Sequence, residues 1–289
     1  MDWVMNEVTP SYAQGQYTVQ KILRYNVDDS INLSGKGTVQ MAFVQCSFSS
    51  ETLHFNSMLW AILPQPKSDG GSAKKRYPTL WLLHGGGGDC TEWVRYTSIE
   101  RYVRDLELAV IMPQAHLSFY TDMVHGPRYW TFLNEELPRV ARSLFPLAEE
   151  RELNYVAGLS MGGYGALKWA LKRPDMFAAA AGLSTGNPPK IGDGRPVRLA
   201  FGQDQVEGTE HDLIRMIEEL DKSDGPKPKF YQSCGTEDFL YDKNAAVRAA
   251  FEKSGLDYTY TEGPGVHNWD FWDWQIQEVL KWLPLPNRP

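Results

Sequence analysis

Short apolar runs alternate with stretches of helical periodicity from about residue 39 onward. Apolar runs bounded by turn residues indicate buried strands, and apolar residues recurring every three or four positions indicate amphipathic helices. This alternation is typical of an α/β fold with a mostly parallel central sheet and helices on both faces. Strands are predicted at 39–48, 54–63, 79–84, 108–113, 154–158, 178–184, 229–235 and 258–263. Helices are predicted near 91–104, 134–143, 161–172, 209–220, 242–253 and 268–282.

The first two predicted strands have no helix between them, so we expect them to form an antiparallel pair at the sheet edge. Residues 1–38 show no readable pattern and form an N-terminal extension of uncertain structure. Residues 39–289 are predicted to form a single domain, because alternation resumes in the same style after each polar segment. These segments are rich in Pro and Gly and are predicted surface loops at 64–78, 184–196 and 221–229.

Composition narrows the function classes. The 289 residues are 42% hydrophobic and 22% charged, which is ordinary for a globular protein. A net charge of −7 argues against nucleic acid as a partner. No apolar run approaches the roughly 18 residues that span a bilayer, and the acidic N-terminus does not resemble a signal peptide, so we expect a cytoplasmic protein. The three cysteines are widely spaced without a CxxC pattern, which predicts neither a disulfide framework nor a metal site.

Candidate chemistry centres on the stretch GLSMGG at 158–163, between a predicted strand and a predicted helix. G-x-S-x-G in that context is the nucleophile elbow of α/β-hydrolases, in which the serine occupies a strained turn. Gly158 and Gly162 are expected because the tight turn has no room for a Cβ two residues before or after Ser160, and Gly163 and Gly165 would let the helix lie close to the sheet. The alternative is a glycine-rich turn whose serine only caps the helix.

A serine nucleophile needs a general base and a carboxylate that orients the base, which follow in the order serine, acid, histidine in this fold. Among the six histidines, only His267 follows both the elbow and a strand-end carboxylate. Asp238 is the chosen acid, since it falls in the loop after the predicted strand at 229–235. The alternatives are Glu237 as reserve, Asp242 as a helix cap, and Asp204, which precedes a further helix and strand.

An oxyanion hole requires two backbone N–H groups that point to the developing negative charge. Met161 supplies one by following the nucleophile. The second is expected in the four-glycine loop after the strand at 79–84, with Gly86 as first choice and Gly87 as second. A flexible turn is the alternative; a phosphate loop is disfavoured because no lysine follows at P-loop spacing.

The motifs LLHGGGGD, GLSMGGYGALK, CGTEDFLYD and GPGVHNWDFWD resemble the tributyrin esterase branch of the esterase D-like α/β-hydrolases. Relatives in this family include acetyl and feruloyl esterases and S-formylglutathione hydrolases, and the similarity runs from about Met41 to Pro284. The resemblance implies an α/β-hydrolase fold with Ser160, Asp238 and His267 as the triad. It also implies hydrolysis of short-chain acyl esters without metal or organic cofactor, often by oligomers.

Two features bear on the substrate. DCTEW at 89–93 is similar to the S-formylglutathione hydrolase pattern, whereas HNWDFW at 267–272 matches the tributyrin and feruloyl type, so carboxylic esters rank above glutathione thioesters. Acyl transfer to an alcohol and an inactive, hydrolase-like binding protein stay open. Aromatic side chains near the predicted loops are candidates for the substrate pocket, with core packing as the alternative: Trp93, His116, Tyr120, Trp130 and Trp269.

Overall fold

The computed structural model describes residues 39–65, 75–187 and 194–286, together with the backbone of Thr18–Gln20. Within these residues one nine-stranded sheet has the order β1-β2-β3-β5-β4-β6-β7-β8-β9. The strands are β1 (Thr18–Gln20), β2 (Met41–Ser50), β3 (Phe55–Pro64), β4 (Thr79–Leu83), β5 (Ala109–Pro113), β6 (Asn154–Leu159), β7 (Ala179–Leu183), β8 (Lys229–Gly235) and β9 (Tyr258–Gly263).

The sheet is antiparallel at one edge and parallel elsewhere, as predicted. β2 and β3 form the expected antiparallel pair, with Met41 opposite Pro64 and Ser50 opposite Phe55. β1 pairs antiparallel with the outer side of β2, and β3 pairs antiparallel with β5. All pairs from β5 through β4 to β9 are parallel. The carboxyl ends of β4, β6, β7 and β8 therefore meet at one edge, where ligands bind in open α/β sheets.

Helices cover both faces of the sheet. They are α1 (Glu92–Tyr96), α2 (Ile99–Val103), α3 (Tyr129–Thr131), which continues through a π-helical segment (Phe132–Glu136) into α4 (Leu137–Leu144), α5 (Met161–Lys172), α6 (Arg195–Phe201), α7 (Leu213–Asp221), α8 (Tyr241–Lys253) and α9 (Trp269–Trp282); a short 3₁₀ turn spans Arg151–Leu153. None of the helices in the described ranges is long and apolar enough to cross a membrane.

Two hydrophobic cores lie on opposite sides of the sheet. In β4, Trp81 and Leu83 face the core shared with α4, α5, α7 and α8, whereas Leu80 and Leu82 face the core shared with α1, α2 and α9. All five residues of β4 are buried. Continuous apolar runs are expected for strands that are covered on both faces, which explains why these strands were readable in the sequence.

Two predicted elements differ from the structure. The helix predicted at 91–104 is two helices, because the Thr97 side chain accepts a hydrogen bond from Ile99 N–H at 3.1 Å and ends the first helix locally. The surface loop predicted at 184–196 is wrong at both ends. Ser184 and Asn187 are buried, and α6 begins at Arg195 after a glycine in the left-handed conformation.

Candidate active site

Ser160 forms the junction between β6 and α5. Its φ of 52° and ψ of −117° lie outside the regions that non-glycine residues usually adopt. The turn is held from both sides, because Ser160 N–H donates to the carbonyl of Leu183 at the end of β7 at 2.8 Å, and its own carbonyl accepts from Tyr164 N–H at 3.0 Å. The strained backbone presents the half-buried hydroxyl at the carboxyl edge of the sheet, next to the amino end of α5.

Close packing around this turn explains its glycines. A Cβ at Gly162 would lie 2.5 Å from two carbonyl oxygens at the end of β4. At Gly163 a Cβ would overlap the hydroxyl of Thr185, which follows β7, so this glycine brings the helix close to the sheet as predicted. Gly165 differs from its prediction: a Cβ there would meet the ring of Tyr120, in the loop after β5, and not the sheet.

Asp238 lies in a tight turn after β8. Its N–H donates to the Gly235 carbonyl at 3.1 Å, and its carbonyl accepts from Tyr241 N–H at 2.9 Å. One carboxylate oxygen accepts from Leu240 N–H at 2.8 Å. These local bonds turn the carboxylate inward, where the side chain is fully buried.

His267 lies in the loop between β9 and α9, and this loop is tied to the turn that carries Asp238. Glu237 N–H donates to the Gly265 carbonyl at 3.0 Å, and Gly265 N–H donates to the Glu237 carboxylate at 2.6 Å. Asn268 caps α9 by accepting a hydrogen bond from Phe271 N–H at 3.2 Å. The acid loop and the histidine loop therefore continue the pairing of β8 with β9.

The three side chains form one chain of hydrogen bonds. His267 Nε2 lies 2.9 Å from Ser160 Oγ, and His267 Nδ1 lies 2.9 Å and 3.0 Å from the two carboxylate oxygens of Asp238. A carboxylate only accepts, so Nδ1 carries the proton and donates it; Nε2 is then free to accept from the serine hydroxyl. This arrangement is able to take a proton from Ser160 and to stabilise the resulting imidazolium.

Ser184 and Trp272 support the Asp238 carboxylate, and the sequence analysis did not identify either residue. Burial alone would raise the pKa of Asp238, but hydrogen bonds from His267, Leu240 N–H and Ser184 outweigh it and hold the pKa below its ordinary value. Ser184 in turn accepts a hydrogen bond from Trp272 Nε1 at 3.0 Å. Ser184 directly follows β7, so the rule that ligand sites form at the carboxyl ends of parallel strands would have indicated it.

The alternative acids lie elsewhere or have other partners. Glu237 is exposed and its carboxylate is engaged with Gly265 N–H. Asp242 lies in the first turn of α8, where its side chain is not the cap. Asp204 is exposed and pairs with Arg198 at 2.6 Å. Among the four carboxylates weighed from the sequence, Asp238 is the one that contacts His267.

The residues predicted as oxyanion donors lie at the start of α5 and in the loop after β4. Met161 is the first residue of α5, where helix N–H groups are unpaired within the helix. Gly86 and Gly87 are exposed in the loop after β4, and Gly87 has a φ of 82°. Leu83 lies beside Gly158 in the sheet, so this loop begins next to the elbow. Their role as donors stays a prediction.

His84 fixes the start of that loop. Its Nε2 accepts from Ala115 N–H at 3.0 Å, so Nδ1 carries the proton and donates to the Gly85 carbonyl at 2.8 Å. Burial lowers the pKa of His84 to about 4, so the ring is neutral near pH 7. The His84 carbonyl accepts from the Tyr120 hydroxyl at 2.8 Å. A neutral buried imidazole thus joins the glycine loop to the loop after β5.

Lys168 ties the same loop to α5. Its Nζ donates to the Tyr120 carbonyl at 3.1 Å, and it lies over the rings of Trp130 and Tyr164 at 5.1 Å and 5.6 Å. Burial lowers the pKa of Lys168 to about 7. Because Tyr120 also reaches the end of β4, one tyrosine connects the helix after the elbow with the glycine loop.

The five pocket candidates differ in their surroundings. Trp93 and Tyr120 are 1% and 0% exposed and have the contacts of core residues. His116 is exposed with a φ of 49°, while Trp130 and Trp269 are half-buried. Trp269 packs edge-on against Trp93 with centroids 5.3 Å apart. A contact with substrate stays a prediction for each of them.

Strand order, the strained serine at the strand–helix junction and the positions of acid and base after β8 and β9 together define an α/β-hydrolase-fold protein. The class follows from topology and from where each side chain enters the site, because other folds build serine–histidine–carboxylate sites in a different chain order.

Comparisons with known proteins agree with this class. The family model described as “Putative esterase” matches residues 57–283. An acetyl esterase of Caldicellulosiruptor saccharolyticus is 32% identical over 261 residues, which cover 84% of this chain and 98% of the relative. Among solved structures, the Staphylococcus aureus fluorophosphonate-binding serine hydrolase F, with substrate bound, is 34% identical with a TM-score of 0.79, covering 84% of this chain and 98% of its own. The S-formylglutathione hydrolase of the same organism is 34% identical with a TM-score of 0.77, and the match covers 84% of this chain and 99% of that hydrolase.

The chain therefore belongs to this esterase family, as the sequence resemblance predicted. It is a carboxylic ester hydrolase of the serine esterase type.

Proposed function

We propose that the chain hydrolyses short-chain acyl esters through an acyl-enzyme intermediate on Ser160, with His267 as base and Asp238 as the orienting carboxylate. The observation that supports these roles most directly is the continuous hydrogen-bond chain between the three side chains, with 2.9 Å on each side of the imidazole. Hydrogen bonds of this length are within reach for direct proton transfer.

In the proposed first half of the reaction, Ser160 Oγ attacks the ester carbonyl carbon while His267 Nε2 takes the hydroxyl proton. The carbonyl oxygen becomes negative and is stabilised by N–H donors from Met161 and from Gly86 or Gly87, each worth about 10² to 10³ in rate. His267 then gives its proton to the leaving alcohol oxygen as the C–O bond breaks. In the second half, a water molecule attacks the acyl carbon while His267 Nε2 takes its proton. The proton then returns to Ser160 Oγ as the bond between Ser160 and the acyl group breaks, and the acid leaves.

Replacement of Ser160 tests this mechanism. Ser160→Ala is expected to abolish turnover of p-nitrophenyl acetate and labelling by a fluorophosphonate probe, while the thermal unfolding midpoint stays near that of the wild type. Intact-mass spectrometry should show the probe on wild-type protein only. Full turnover by the alanine variant would refute the proposal, and failure of the wild type to react with probe and ester would favour an inactive binding protein.

A thioesterase is the second candidate, supported by DCTEW at 89–93 and by the 34% identity to an S-formylglutathione hydrolase. A panel of p-nitrophenyl esters from acetate to octanoate, with methyl ferulate and S-formylglutathione, separates the candidates. We expect kcat/KM to be highest for short acyl esters. A higher kcat/KM for S-formylglutathione would favour the thioesterase, and ester products with added alcohols would reveal acyl transfer.

The remaining features rest on sequence and resemblance. A single hydrolase domain over residues 39–289, tributyrin-type specificity, a cytoplasmic location, a homo-oligomeric state and the absence of nucleic-acid partners stay predictions. Size-exclusion chromatography with light scattering tests the oligomeric state, and hydrolysis of tributyrin beside longer triglycerides tests the specificity.

A further inference from the structure

Phe239 has the most exposed ring among the large apolar side chains in the described part of the fold, at 76% exposure. Single exposed apolar residues are common and need no explanation by themselves. The position of this one is unusual, because it directly follows Asp238 and its ring centroid lies 4.5 Å from that of His267. An apolar surface is thus presented to solvent beside the imidazole.

The imidazole of His267 contacts two aromatic rings that differ in their exposure to solvent. Trp272 packs edge-on with centroids 4.9 Å apart and is 6% exposed, so it belongs to the core. Phe239 packs on the imidazole at a 53° interplanar angle and is open to solvent. Trp272 is therefore the buried aromatic neighbour of the base, and Phe239 is its solvent-exposed aromatic neighbour.

The backbone at Phe239 is fixed before any ligand arrives. The neighbouring residues on both sides are hydrogen-bonded within the turn, since Leu240 N–H donates to the Asp238 carboxylate at 2.8 Å and Tyr241 N–H donates to the Asp238 carbonyl at 2.9 Å. Leu240 is 4% exposed. Asp238 and Leu240 thus point inward and Phe239 outward. A contact made by a held backbone costs little ordering on binding.

We infer that Phe239 forms a subsite for the alcohol part of the ester, and that it selects esters of apolar alcohols. This inference rests on the proposed function. His267 Nε2 must reach the leaving oxygen to give it a proton, so the alcohol carbons lie on the side of the imidazole. The glycine loop that is proposed to hold the carbonyl oxygen follows β4, whereas Phe239 follows β8, on the other side of β6. The phenyl ring therefore contacts the alcohol and not the acyl group.

The test compares two ester series on the full chain. In the first, acetate is kept and the alcohol grows from methyl to hexyl. In the second, p-nitrophenol is kept and the acyl group grows from acetate to hexanoate. For the wild type we expect kcat/KM in the alcohol series to rise by about twofold to fourfold per methylene, the range expected for partial to full burial of each group.

Phe239→Ala is expected to flatten the alcohol series, so that the ratio of kcat/KM for hexyl acetate to kcat/KM for methyl acetate falls towards one. The acyl series should keep its slope, and Phe239→Leu should restore most of the alcohol slope. Phe55→Ala is the matched control, because Phe55 is also exposed, at 39%, and lies at the start of β3, with four strands between β3 and β8. It should behave as the wild type.

Each alternative result counts against the inference in a recognisable way. An equal fall for all esters in Phe239→Ala would mean that the ring only supports His267. An unchanged alcohol slope in that variant, or a flat slope in an active wild type, would refute the subsite alone. Loss of hydrolysis of every ester by the wild type would refute the proposed function together with the subsite.

Discussion

Lys168 is a fully buried cation on the helix that follows Ser160, so its replacement should change how the stability of the protein depends on pH. Burial lowers its pKa from 10.5 to about 7 in the folded state. In the unfolded chain the amine holds its proton up to about pH 10.5. Between these values unfolding takes up a proton, so the folded state gains stability as pH rises. Below pH 7 both states are charged and the full cost of burial, about 5 kcal/mol, is present.

Lys168→Met removes the charge and keeps the length of the side chain. The variant loses the hydrogen bond to the Tyr120 carbonyl, which costs about 1–3 kcal/mol at every pH. Its stability relative to the wild type should fall by about 3 kcal/mol from about pH 6.5 to about pH 9.5 as the wild type escapes the burial cost. The free energy of unfolding from urea titrations at several pH values measures this difference.

The matched control is Lys172→Met, one turn further along α5, where the side chain is 30% exposed and lies 3.7 Å from Glu210. It removes the same charge from a solvent-accessible position. Because this charge lowers the pKa of Lys168 less than burial does, the stability of the variant relative to the wild type should change by less than about 1 kcal/mol over this range. The argument from burial is refuted if the difference in free energy of unfolding between Lys168→Met and the wild type changes with pH as little as it does for Lys172→Met.

Other predictions address the site and the packing around it. Asp238→Asn should lower kcat by about 10⁴ with little change in KM, because His267 loses the partner that fixes its tautomer. The kcat of Glu237→Gln, which keeps an acceptor for the Gly265 N–H, should stay within about tenfold of the wild type. If the two variants show the reverse order, the glutamate is the catalytic acid. Gly163→Ala should lower the free energy of unfolding by about 1–3 kcal/mol, because the new methyl overlaps the Thr185 hydroxyl. Gly225→Ala places its methyl in open space and should leave the free energy of unfolding nearly unchanged. Equal effects in the two variants would contradict the packing argument. Tyr120→Phe should lower the free energy of unfolding, measured by urea titration, by about 1–3 kcal/mol, because the His84 carbonyl loses the tyrosine hydroxyl. No loss of stability would show that this hydrogen bond is dispensable.

Sequence patterns predicted the strands and the family because these depend on local signals. The runs of β4 and β6 are buried on both faces, so in the sequence they are continuous apolar segments bounded by turn residues. The sequence predicted Ser160 as the nucleophile because its glycine neighbours are required by contacts within a few ångströms of the turn. His267 and Asp238 followed from their order along the chain.

Other features depend on which distant segments the fold brings together. No local signal marks Phe239 as a neighbour of His267, because their contact arises from the pairing of β8 with β9. Ser184 lies where the predicted strand 178–184 meets the predicted surface loop 184–196, and the Pro- and Gly-rich residues after it gave no sign that its side chain is buried. A helix signal spans the end of that segment and the residues after it, with Pro196 in the first turn of α6 and Gly202 at its end.

The bonds between Glu237 and Gly265 have a consequence for how the site is assembled and lost. They join the loops of the acid and the base into one unit, whose internal spacing is set by the main-chain bond from Glu237 N–H to Gly265 and by the bond from Gly265 N–H to the Glu237 carboxylate. The nucleophile lies outside this unit and reaches the imidazole across β7. We therefore expect gradual loosening of the molecule by heat or denaturant to separate serine from histidine before it separates histidine from aspartate. Partly inactivated protein should accordingly keep an intact imidazole–carboxylate pair.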